Sequence, residues 1–138
     1  MSSSKLRGLV AVVLIAGLAI ALAALYQSRS PAEVQPQTVN FTIIADDNGF
    51  NGSVQHGIPW PIITVHVGDN VTITVIDDGK VEAHGFAIDS YFPKGLTVGP
   101  GESGSVTFTA TTPGNYTFYC NIFCTVHQFM VGTLVVEG

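Results

Sequence analysis

Residues 120–130, Cys-Asn-Ile-Phe-Cys-Thr-Val-His-Gln-Phe-Met, hold both cysteines of this 138-residue chain, one of its four histidines and one of its two methionines. The stretch carries no charge. Thiolate, imidazole and thioether together form the ligand set that favours copper, because soft sulfur stabilises Cu(I) while imidazole tolerates Cu(II). Such a set points to single-electron transfer. A methionine would serve no purpose at a zinc site, where thiolate and imidazole suffice. The competing structural use of the two cysteines is an exported disulfide, which leaves the histidines and Met130 unexplained.

The rest of the chain must position that stretch and deliver it to a compartment. Residues 8–26 (GLVAVVLIAGLAIALAALY) carry no charge and reach the roughly 20 residues that a membrane-spanning helix requires. Lys5 and Arg7 precede the run and only Arg29 follows closely, a bias that keeps the N-terminus in the cytoplasm and sends the remainder across. A cleaved signal peptide is the alternative, with Ala21-Leu22-Ala23 as a cleavage site, but the apolar run exceeds the usual ~7–15-residue signal core. The expected organisation is an anchor over 1–30, a polar linker with Pro31 and Pro36 over 31–38, and one folded domain over 39–138.

From residue 31 onward only Lys80 and Lys94 are basic, against ten acidic residues, and the whole chain carries a net charge of −5. A domain of that sign repels nucleic acid and steers a basic partner toward itself. Sequons begin at Asn40, Asn51, Asn70 and Asn115, in keeping with an exported surface.

Short alternating segments fill the domain. Residues 39–45, 62–67, 71–76, 83–88, 105–109, 116–120 and 132–137 read as strands, with turn residues between them, and no stretch beyond the apolar run has helical periodicity. Gly68-Asp69-Asn70 predicts a hairpin between the second and third of these. Residues 46–61, rich in Gly, Asn, Asp and Pro, read as a long loop. The fold class is all-β, a sandwich or barrel.

Gly114-Asn115-Tyr116-Thr117-Phe118-Tyr119-Cys120, a His/Met loop, and Val131-Gly132-Thr133-Leu134-Val135-Val136 resemble the last two strands of a cupredoxin. Glu82-Ala83-His84-Gly85-Phe86-Ala87-Ile88 resembles the strand that supplies a cupredoxin's first histidine. Two cysteines separated by three residues are similar to the dinuclear CuA domain of haem-copper oxidase subunit II and nitrous oxide reductase, and the single anchor to subunit II of B-type oxidases. The resemblance implies a Greek-key sandwich. It implies two copper ions, with His84 and His127 each on one copper, Cys120 and Cys124 bridging, and Met130 and the carbonyl of Ile122 as weak axial ligands. It implies a haem-bearing oxidase catalytic subunit as acceptor, and as donor a basic protein such as a cytochrome c or another cupredoxin. Where many CuA domains place a magnesium-linked glutamate, Ile122 offers no carboxylate.

One spacing departs from that family. CuA loops place three residues between the second cysteine and the histidine, whereas only Thr125 and Val126 separate Cys124 from His127. Cys124-Thr125-Val126-His127-Gln128-Phe129-Met130 has the spacing of some mononuclear blue-copper proteins such as amicyanin. The expectation is therefore a membrane-anchored copper electron carrier with two coppers, as in subunit II of a haem-copper oxidase, on the strand register of Cys120; the alternative, on the loop spacing, is a stand-alone carrier with one copper. Copper delivery is the third reading, although Sco-type chaperones carry their cysteine pair early in an α/β domain. His56 and His66 are expected to be solvated, and Phe129 to form the exposed apolar rim.

Overall fold

The structure, a computed structural model, describes residues 35–138 continuously and, before them, only Arg7, Leu18, Ile20, Leu22, Ala23 and Tyr26. Most of the expected anchor over 8–26 lies outside the described residues; among those described, no helix is long and apolar enough to cross a membrane.

Alternation of apolar and polar residues builds two sheets that face each other. One contains β1 (Thr38–Asp46), β2 (Gly49–Phe50), β4 (Asn70–Asp77) and β7 (Ser103–Thr109), in the order β2-β1-β4-β7. The other contains β3 (Ile62–His66), β5 (His84–Ile88), β6 (Phe92–Val98), β8 (Gly114–Tyr119) and β9 (Val131–Glu137), in the order β3-β9-β8-β5-β6. The only helical turns within residues 35–138 are α1 (Ser53–His56) and a 3-10 turn over His127–Phe129. This is the expected all-β Greek-key sandwich.

The hairpin expected at Gly68-Asp69-Asn70 does not form. β3 pairs in parallel with β9, and β4 pairs in parallel with β1 and antiparallel with β7. The turn instead carries the chain from one sheet to the other. Buried Asp69 holds the crossing, its carboxylate accepting the amides of Gln37 and His66, both at 2.8 Å. These two amides keep its carboxyl below the ordinary carboxylate range.

Between the sheets, Ile43, Val65, Val71, Ile73, Val75, Ile88, Leu134 and Val136 surround three fully buried rings, Phe50, Phe86 and Phe118. Ring centroids lie 5.5–6.1 Å apart, and each such side chain contributes roughly 1.5–3 kcal/mol by leaving water. The triad closes the core beneath the ends of β5, β8 and β9, where the ligand-type residues emerge. Gly132 makes this packing possible, because a Cβ there would run into the Phe118 ring.

Candidate metal centre

β8 lies between β9 and β5, antiparallel to both. Cys120 directly follows β8, Met130 directly precedes β9, and His84 opens β5, so three strands deliver three ligand-type residues to one end of one sheet. The Cys120 amide donates to the Met130 carbonyl at 3.1 Å, continuing the β8–β9 ladder by one rung. The fourth, Cys124, comes from the loop.

Ligand atoms of His84, Cys120 and Cys124 lie within 4.8 Å of one another, and all three residues are buried. The Met130 sulfur, fully buried, is 3.5 Å from Cys124 Sγ. The two thiols are free, with sulfurs 3.8 Å apart, well beyond the roughly 2.05 Å of a disulfide.

His84 supplies the test of whether a metal fits. Its side chain is fully buried, and neither Nδ1 nor Nε2 has a hydrogen-bond partner. A buried imidazole left unpaired is costly, and a metal ion among the sulfurs would satisfy it. Nε2 faces Gly79: a Cβ at that position would lie 3.6 Å from Nε2 and 2.9 Å from Asp77 Oδ1. Both ring nitrogens are without a partner, and one of them lies within 4.8 Å of the two cysteine sulfurs.

The surroundings suit sulfur ligation. The Gly85 amide donates to Cys120 Sγ at 3.3 Å. Without metal the Cys120 thiol donates to the Ile122 carbonyl at 3.1 Å. Burial, reinforced by the neighbouring Cys120 sulfur, pushes the Cys124 thiol up to about 12. The metal-free centre is thus uncharged at Cys124, and a cation must displace that proton to bind.

A family model described as a cupredoxin-like domain matches residues 15–136. The chain belongs to that family. Among curated relatives, the nitrous-oxide reductase of Stutzerimonas stutzeri is 36% identical over 77 residues, covering 54% of this chain and 12% of that protein. That of Ralstonia nicotianae is 42% identical over 74 residues, covering 51% and 11%. This cupredoxin thus spans only a small part of the length of these relatives. Copper nitrite reductase from Nitrosomonas europaea superposes with a TM-score of 0.60 at 24% identity, over 72% of this chain and 41% of that one. Auracyanin from Roseiflexus castenholzii gives 0.55 at 21%, over 72% and 97%. At such identities the likeness is one of fold.

The cupredoxin assembles one ligand group where the CuA resemblance implied two coppers. Its four members, His84, Cys120, Cys124 and Met130, are consistent with copper and fit a single ion better than a pair. His127 stands outside the group: it is exposed, and its Nδ1 donates to the Ile122 carbonyl at 2.8 Å. The shorter spacing accounts for this, because with two residues between them the His127 amide bonds back to the Cys124 carbonyl at 3.3 Å and opens a 3-10 turn. Ile122 is half-buried at the rim.

Several residues that shape the centre escaped sequence reasoning. Glu82 Oε2 accepts the Thr125 amide at 2.8 Å and its hydroxyl at 2.9 Å, latching the ligand loop to the lead-in of β5. These bonds hold the Glu82 carboxyl below its ordinary range. Asp77 is fully buried and its Oδ2 is unpartnered; its burial was readable, since it lies in phase with Val71, Ile73 and Val75 along β4. Ser53 carried no signal. The exposed apolar side chain of the loop is Phe123, 92% exposed, whereas Phe129 is half-buried. His56 is exposed, as expected, and stacks on Trp60 with centroids 4.4 Å apart; the His66 side chain is partly exposed and lies 3.4 Å from a Glu137 oxygen.

Proposed function

We propose that this cupredoxin is an electron carrier holding one copper ion through His84, Cys120, Cys124 and Met130. The observation that carries the reading is the buried, unpartnered His84 imidazole facing two free thiols and a thioether. Bound there, copper would supply a reversible one-electron couple. The protein's part is to hold three ligands on strand ends and the fourth in a latched loop, so that little moves between oxidation states. The expected location is the outer side of the cytoplasmic membrane, with residues 8–26 as anchor. A basic donor would then dock faster at low salt on the acidic surface.

Repeated oxidation and reduction in the presence of a copper chelator tests the carrier reading. A carrier keeps its metal over many cycles; loss of copper upon reduction would instead indicate delivery.

A second reading keeps the dinuclear centre, with His127 and the Ile122 carbonyl on a second copper and a haem-bearing oxidase subunit as acceptor. It is favoured by the 36–42% identity to nitrous-oxide reductases over about half of the chain and by the proximity of His127 Nδ1 to the Ile122 oxygen.

A further inference from the structure

The segment between β1 and β3 returns to the ligand loop at two points, and these bracket Met130. At the first, the fully buried Ser53 hydroxyl accepts the Phe50 amide at 3.1 Å and donates to the Phe129 carbonyl at 2.6 Å. At the second, the Trp60 amide donates to the Val131 carbonyl at 2.8 Å. Both chain neighbours of the thioether residue are therefore tied to one segment that contributes no ligand of its own.

That segment is itself firmly seated. Phe50 packs against both the Phe86 and the Phe118 ring, and Trp60 Nε1 donates to the Asn51 carbonyl at 3.1 Å. Gly49, at φ +86°, lets Ser53 in: a Cβ there would run into the Ser53 hydroxyl. Of the two ties to the ligand loop, only the one from Ser53 is made by a side chain, and so that one is removed by trimming a side chain.

We propose that residues 49–61 form a clamp that sets the reach of the Met130 sulfur toward the metal, with Ser53 as its positioning residue. The inference rests on the one-copper reading above, in which the thioether is the weak, adjustable ligand. Without the hydroxyl, the Phe129 carbonyl loses its partner and turns toward water. Met130 is drawn outward with it. In the copper-loaded form a more distant thioether would leave room for water, whose hard oxygen would favour Cu(II), so the reduction potential should fall.

The test compares Ser53→Ala with Val106→Ala, a core truncation on β7 of the opposite sheet. Two readouts are taken on the full chain: the potential of the copper-loaded form, and the methyl NMR signal of Met130 in metal-free protein labelled at methionine, where Met1 is the sole other methionine. Ser53→Ala is expected to lower the ratio of Cu(I) to Cu(II) affinity at least tenfold, 59 mV for one electron, and to shift the Met130 methyl signal. Val106→Ala is expected to lower the unfolding midpoint and leave both readouts in place. A Ser53→Ala protein that matches Val106→Ala in both overturns the clamp. Should Ser53→Ala not fold, Ser53→Thr decides, because its extra methyl beside Gly49 must displace the hydroxyl; an unmoved methyl signal then overturns the proposal. If the unmodified chain takes up no copper, the functional reading fails, while the metal-free methyl signal still tests the clamp.

Discussion

Replacing Gly85 by alanine strikes the centre from behind without touching a ligand side chain. A Cβ at that position would meet the Asn121 side-chain oxygen at less than van der Waals contact, and the backbone nitrogens of Asn121 and Ile122 at 3.0 Å each. The side-chain oxygen can swing away. The two backbone atoms cannot, so the chain just after Cys120 must retreat by about 0.4 Å to regain an ordinary 3.4 Å contact. That retreat lengthens the bond from the Gly85 amide to Cys120 Sγ beyond its 3.3 Å. Overpacking of this kind costs about 1–3 kcal/mol, and the lost hydrogen bond adds about 0.5–1.5 kcal/mol. For a domain of this size 1 kcal/mol is worth roughly 4–8 °C, so a total of about 2–4 kcal/mol lowers the melting temperature of the metal-free protein by roughly 8–32 °C. Calorimetry of Gly85→Ala beside Gly104→Ala provides the assay. At Gly104 the new methyl meets only side-chain ends of Val98 and Leu96, at 3.3–3.5 Å, and a loss below about 1 kcal/mol is expected. A Gly85→Ala protein that melts within about 4 °C of the parent would refute the steric argument.

Metal affinity should rise with pH, because the Cys124 thiol, pushed up to about 12, must release its proton on binding. Competition titrations between about pH 6 and 8 should show at least a tenfold gain per unit, and a flat profile would contradict the burial argument. Asp69, with its pKa lowered by two amides, contributes stability that is present above the unfolded carboxylate value near ~4 and is lost as pH falls through its lower folded value. Unfolding midpoints of Asp69→Asn should therefore depend less on pH across that acid window than those of the parent. Phe123→Ser removes an apolar side chain that is 92% exposed; stability should stay within about 0.5 kcal/mol, while stopped-flow electron exchange with a partner protein slows if this side chain forms part of the contact.

Ligand chemistry was the most legible part of this sequence. His84, Cys120, Cys124 and Met130 stand out by residue type and by the resemblance to cupredoxin ligands, and the fold brings those four together. Alternation marked the strands, yet it reports only that a face is buried, not which sheet buries it. For that reason Ile62–His66 and Asn70–Asp77 looked like a hairpin although they lie in different sheets. The reading of residues 46–61 as plain loop failed for a related cause. β2 has two residues and α1 four, too few for any periodicity, and Ser53 acts through a bond to a residue 76 positions away. His127 was the hardest to place. Its residue type fits a ligand, but the loop that carries it bends into a 3-10 turn and leaves the imidazole on the Ile122 carbonyl.

Copper stoichiometry, measured together with the EPR spectrum of the oxidised protein, tests the central claim most directly. One ion held by His84, Cys120, Cys124 and Met130 predicts a single copper per chain and a four-line hyperfine pattern, lost when either cysteine is replaced by serine. Two coppers per chain with a seven-line pattern would contradict that account and restore a dinuclear centre with His127 as a ligand.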